Sequence, residues 1–429
     1  MDTKDYPVSQ SRRSLLRNTL LTATGTALSP LLSGRTAVSA SSAPAVRGQG
    51  FALEEAEIPA LQEKMKSGEI SARSLCEAYL ARTAQLDQQG PRLASVIELN
   101  PDAAPYGNLA NHLLALGRFD EARKMIREAE SRKLDNVVQR TASYMLAFVA
   151  GDAAGMSRES QWIEASSDVK DNGLSLRSDT EAFAGHLKKA RELTRQAVDA
   201  AVAADNHENA GVWWGMAALR EAVFGNAGEA RQSVAQALKV APGAESVEVL
   251  GALARAMTGD TARAQQAAAD LEKLHPSDTE LNSLWLPAIR AQIALTRKNP
   301  AAAIESLQPA TGSIEYGSIP SVNQVSCLFH TYLRGEALLA AGRGGEAAAE
   351  FQKIVDHPGI VNNCWTGALA HLGVARANAL QAKTASGADA DAARVRALAA
   401  YKDFLTLWKD ADPDIPIYKQ AKAEFAQLQ

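Results

Sequence analysis

At 429 residues the chain could hold two or three ordinary domains, but only 5% of it is aromatic, alanine abounds and strand-like runs are nearly absent. A core of small side chains in closely packed helices is therefore expected, which is an all-α fold. A net charge of −4 with no basic block excludes an evident electrostatic footprint for nucleic acid or an anionic membrane.

The chain opens on an address. Ser11-Arg12-Arg13-Ser14-Leu15-Leu16-Arg17 resembles the twin-arginine export motif, a weakly apolar stretch follows from Leu20 to Leu32, and Val38-Ser39-Ala40 supplies small residues for signal peptidase. Residues 1–40 are expected to be removed, giving a periplasmic or secreted product; a basic tail on a cytoplasmic protein is the alternative. The segment holds five bases and two acids, so its loss leaves a net charge of −7. No later apolar run is long enough for an integral membrane segment.

Residues 41–50 read as a linker. From 51 to 103 the pattern predicts two helices, Glu54 to Lys66 and Ser71 to Leu86, with Ser67-Gly68 ending the first and Ser71 capping the second. The wording from Ile58 to Ala103, IPALQEKMKSGEISARSLCEAYLARTAQLDQQGPRLASVIELNPDA, resembles the amino-terminal segment of amidase-signature hydrolases. That family implies a serine nucleophile, a bridging serine and a lysine base on a Gly/Ser-rich stretch further on. Here the text after Asp102 turns into helical repeats and no such stretch follows, so nothing would activate a water or hold a tetrahedral intermediate.

Residues 104–429 carry the main pattern. Gly117, Gly151 and Gly185 stand 34 residues apart, and Gly225 and Gly259 repeat the interval. Five positions after the glycine, alanine recurs as Ala122, Ala190, Ala230 and Ala264, where a second helix must approach the first closely. Pro242 and Pro276, each 17 residues after their glycine, mark helix ends. This is the period of tetratricopeptide repeats, which the chain resembles, and it implies a right-handed superhelical solenoid of helix pairs. Two intervals break it: 40 residues from Gly185 to Gly225, and 83 from Gly259 to Gly342. The second holds a degenerate unit around Lys298-Asn299-Pro300 with Ala303, then a loop from Ala310 to Ser321. Seven repeats result, or eight if Ala368 to Trp408 forms one with an insertion at Lys383 to Asp391. A bend at Asp410 to Asp414 then admits a last helix, Ile417 to Leu428, as a cap.

The same region is similar to the repeats at the carboxyl end of large bacterial serine/threonine kinases, through YGNLANHLLALGRFDEA from Tyr106, KARELTRQAV from Lys189 and VRALAAYKDFLTLWKDADPDIPIYKQAKAEFAQLQ from Val395. No His-Arg-Asp, Asp-Phe-Gly or phosphate loop accompanies it, so the likeness implies a regulatory or protein-contacting region without its enzyme.

Chemistry is sparse elsewhere. The seven histidines show no i, i+3 or i+4 pair, so no metal site and no cofactor are expected. Trp213-Trp214 should split, one ring in the core and one at a groove or its edge. Cys327 and Cys364 lie 37 residues apart and either pair in an oxidising compartment or remain buried thiols. The resemblance implies a concave groove lined by the first helix of each pair, at positions counted back from the glycine. These give Asn111 and Leu114, Met145 and Phe148, Asp179, Leu219, Leu253, and Glu336 with Leu339. A mainly apolar set with a few polar guides suits a protein or peptide partner carrying hydrophobic anchors. The expected function is a non-catalytic binding scaffold, with an amidase-type hydrolase or a kinase-associated regulatory module as alternatives.

Overall fold

A computed structural model describes residues 58–83, 103–312, 315–316 and 327–429. The expected signal segment, the linker and residues 84–102 of the amidase-like stretch lie outside the described residues, as does the end of the Ala310 to Ser321 loop. Among the described residues there are twenty α-helices and no strand. None is long and apolar enough to cross a membrane. The chain divides into two units, residues 1–98 and 99–429.

In the first unit, α1 (Ile58–Lys66) and α2 (Ala72–Thr83) are joined through Gly68 at φ +76°. Ser71 and Ser74 cap α2 reciprocally: the Ser74 N–H donates to Ser71 Oγ at 3.0 Å and the Ser71 N–H to Ser74 Oγ at 2.9 Å.

The second unit is a run of helical hairpins. They are α3 (Ala103–Ala115) with α4 (Phe119–Ser131), α5 (Val137–Val149) with α6 (Ala153–Glu164), and α7 (Lys170–Phe183) with α8 (Leu187–Ala203). Next come α9 (His207–Phe224) with α10 (Ala227–Val240), α11 (Glu245–Met257) with α12 (Thr261–Leu274), and α13 (Leu286–Thr296) with α14 (Pro300–Ser306). After α15 (Phe329–Ala340) and α16 (Gly344–Asp356), a single turn α17 (Pro358–Val361) leads into α18 (Trp365–Thr384) and α19 (Gly387–Leu407), and α20 (Pro416–Leu428) ends the chain. A π-helical turn, Leu281–Trp285, precedes α13.

One turn recurs between the helices. In the fourth hairpin Gly225 sits at φ +95°, its N–H donates to the Ala222 carbonyl at 3.2 Å, and Asn226 donates to Glu221 at 2.8 Å. That pattern ties off the last carbonyls of the first helix and requires a left-handed residue, which glycine adopts without a Cβ penalty. The degenerate unit makes the same bonds with Lys298 at φ +59° in place of glycine. The alanines after these turns, Ala122, Ala190, Ala230, Ala264, Ala303 and Ala347, are all completely buried. A larger side chain there would force the paired helices apart.

The irregular intervals have plain structural causes. Helices α8 and α9, of 17 and 18 residues, absorb the extra length between Gly185 and Gly225. The expected insertion at Lys383 to Asp391 is instead continuous helix on both sides of a short Ala385-Ser386 turn, because α18 and α19 run to 20 and 21 residues.

The C-terminal third returns to the early hairpins. Trp408 donates its indole N–H to the Phe183 carbonyl at 2.9 Å, Asp412 donates its N–H to the Gly185 carbonyl at 3.0 Å, and Asp412 Oδ2 accepts from the Lys188 N–H at 2.7 Å. Asn363 reaches the Leu176 carbonyl at 2.9 Å and Thr180 Oγ1 at 3.1 Å. Gly359 lies so close to the Leu114 carbonyl that a Cβ would meet its oxygen at 1.9 Å. Helix α20, expected as a cap on the last pair, packs on α19 and also on α9. Cys327 and Cys364 form a disulfide, Cα atoms 5.4 Å apart, which ties the approach to α15 to the start of α18.

Candidate functional site

This return decides which of the expected groove positions remain open. Leu114 and Met145 are buried, and Leu219 and Leu253 are completely so. Phe148 is half-buried with its ring edge-on to Phe183, centroids 5.0 Å apart, while Asn111 is half-buried on α3. Gly367 of α18 packs against Phe183, so residues 359–367 cover the face that α3, α5 and α7 would have offered to a partner. Asp179 is mostly buried 3.9 Å from Arg220, whose guanidinium also donates to Ser178 and Thr194. Burial pushes the Asp179 carboxyl up to about 6 against the opposing pull of Arg220. The two tryptophans split: Trp213 is buried and donates to Asp171 at 3.0 Å, and Trp214 is partly buried at the edge of the core.

Glu336 has a different setting. It lines a cavity of about 410 Å³ bounded by α9, α11, α13, α15 and α18 and roofed by α20. The volume is in the range that small ligands or single side chains occupy. Val223, Met257, Leu295, Leu333 and Ile417 give an apolar wall, and Gln292, Thr296 and Gln420 add amides and a hydroxyl. Leu339 lies one turn further along α15, packed partly against the core.

The charged groups are unevenly satisfied. Arg376, on α18, donates from Nε and Nη2 to Glu424 of α20 at 2.9 and 3.0 Å, and the Tyr401 hydroxyl donates to the same carboxylate at 3.0 Å. Burial lowers the Arg376 pKa most strongly, but the hydrogen bonds to Glu424 together with the charges of Glu424, Glu336 and Tyr332 hold the guanidinium above its ordinary value. Glu336 has no such partner. Its Oε1 is shut off from solvent without a hydrogen bond, and no base among the described residues stands within ion-pair distance. Burial raises its pKa, with Arg376 opposing, and burial followed by the Glu336 charge drives the Tyr332 phenol well above its usual range. Among the described residues the hydroxyls on the wall are Thr296, already donating to the Ala256 carbonyl at 2.9 Å, and Tyr332. Among the described residues that line the cavity there is no serine, cysteine or histidine.

Sequence reading reached Glu336 by its place before Gly342 but missed Arg376, Glu424 and Tyr401. These stand on the long last pair and the terminal helix, where no glycine-counted register applies. Among known proteins, no family model and no curated sequence matches the chain.

Proposed function

We propose that this chain is a non-catalytic binding protein of the tetratricopeptide-repeat kind, exported by the twin-arginine route, which takes a peptide segment of a protein partner at the Glu336 cavity. The observation that carries the reading is the cavity itself. The first helices of successive hairpins converge on it, and α20 roofs it without filling it. Its mixture of apolar wall and few polar groups suits one anchoring side chain with a fixed orientation.

Export is supported by the ordered Ser11 to Arg17 motif and the small residues at Val38 to Ala40. The Cys327–Cys364 bond agrees with an oxidising compartment. The test is capture: the protein recovered from its host as bait in periplasmic extract should enrich a partner that a blocked-cavity variant, Ala340→Trp, does not. Enrichment of the same proteins by both would remove the cavity from the reading.

A further inference from the structure

Resting on that reading, we infer that the cavity selects a protonated primary amine on an apolar stem, as on a lysine side chain, with the Glu336 carboxylate as its counter-charge. Three independent features favour a cation over an anion or a neutral group. Glu336 makes no ion pair with a base among the described residues, and one of its oxygens is buried without a donor. Arg376, the one base among the described residues of the wall, spends its Nε–H and Nη2–H on Glu424, so Arg376, Glu424 and Glu336 together leave one net negative charge beside the space. The C-terminal ends of four helices also face the space, through Phe224, Met257, Thr296 and Ala340. Helix C-termini carry partial negative charge and favour cations.

Shape narrows the ligand further. The apolar residues Val223, Met257, Leu295 and Ile417 would surround a methylene stem, while Gln292 and Gln420 can accept the remaining ammonium hydrogens. A primary amine is preferred over a quaternary one because a carboxylate accepts hydrogen bonds from an N–H donor, which a quaternary ammonium lacks. A lysine side chain and a free alkylamine share this chemistry, and the two sources are separable by experiment.

The test is isothermal titration calorimetry of the full chain at pH 8 with n-hexylamine, n-hexanol and hexanoate, and with the blocked peptide acetyl-Ala-Ala-Lys-Ala-Ala-amide. Hexylamine should bind at least tenfold more tightly than hexanol or hexanoate. Glu336→Gln, which keeps the side-chain shape, should remove that preference, and Ala340→Trp at the exposed rim should block all binding. Equal binding of the three head groups, no hexylamine binding, or an unchanged preference in Glu336→Gln overturns the inference. Hexylamine binding without peptide binding keeps the amine site but removes the peptide reading. Capture of a partner without amine selectivity does the reverse.

Discussion

The indole of Trp408 donates to the carbonyl of Phe183, 225 residues earlier in the chain, and the same ring packs edge-on to Phe224 with centroids 5.2 Å apart. One buried side chain thus joins the last hairpin to the third and fourth. The pocket around Glu336 exists because α20, which follows Trp408, is brought over α9 at this point.

Gly185 gives a way to measure that junction. It lies at φ +80°, and a Cβ there would stand 2.5 Å from the Ala411 Cβ and 3.0 Å from the Trp408 ring. Gly117 has nearly the same φ, +71°, with nothing nearby. Gly117→Ala should therefore destabilise by only the left-handed strain, about 1–2 kcal/mol, and Gly185→Ala by about 1–3 kcal/mol more through overpacking. Urea unfolding of the two variants checks this, and equal losses would mean that the Trp408 contact is absent in solution.

Leu219 tests which face of α9 is covered. As a groove residue it would tolerate truncation, but it is completely buried. Leu219→Ala should lower stability by about 2–5 kcal/mol through lost transfer energy and the cavity left behind. A change within about 0.5 kcal/mol, the range of ordinary surface substitutions, would place it on an open surface.

Reducing the disulfide should weaken the C-terminal return. The bond closes 37 residues, and Cys327→Ala with Cys364→Ala should lose about 2–4 kcal/mol in chemical denaturation. An unchanged midpoint in the double variant, with and without reductant, would show that the bond does not form.

Acid sensitivity should centre on His330. Its ring is buried, Nε2 lies 2.8 Å from the Glu315 carbonyl, and burial pulls its pKa down to about 4, with nearby Arg334 acting in the same direction. The unfolded chain binds the proton at its ordinary value near 6.5, so between about pH 6.5 and 4 it holds more proton than the folded one. The stabilisation is complete above that window and is lost as pH falls through it, about 3 kcal/mol in all. His330→Gln should show a flatter loss across the same range in pH-dependent unfolding; parallel curves would contradict the assignment.

How far the sequence could be read follows from the range of each interaction. The hairpin turns were legible because a left-handed glycine and a small residue five positions on are local demands, met within one pair. Lys298 escaped the glycine count because a non-glycine can hold the turn when the surrounding pair fixes it, here at φ +59°. The return of the C-terminal third was not legible: Trp408 with Phe183, Asn363 with Leu176 and Gly359 with Leu114 are contacts between distant segments that no period encodes. For the same reason Leu114, Met145 and Leu219 read as open faces but are buried, whereas Glu336 lines the cavity under α20 and Asp179 a small space beside Arg220. Arg376 and Glu424, its neighbours in space, come from helices outside the regular register.

The measurement that bears most directly on the proposed binding role of this cavity is site-specific photo-crosslinking in the host. A benzophenone-bearing residue at Ala340, on the rim, is compared with one at Leu274, which is 71% exposed at the end of α12 and away from the cavity wall. A discrete partner adduct from position 340, absent from 274 and lost when Glu336→Gln is added, is the expected result. Adducts from 274 alone, or identical adducts from both positions, would contradict it.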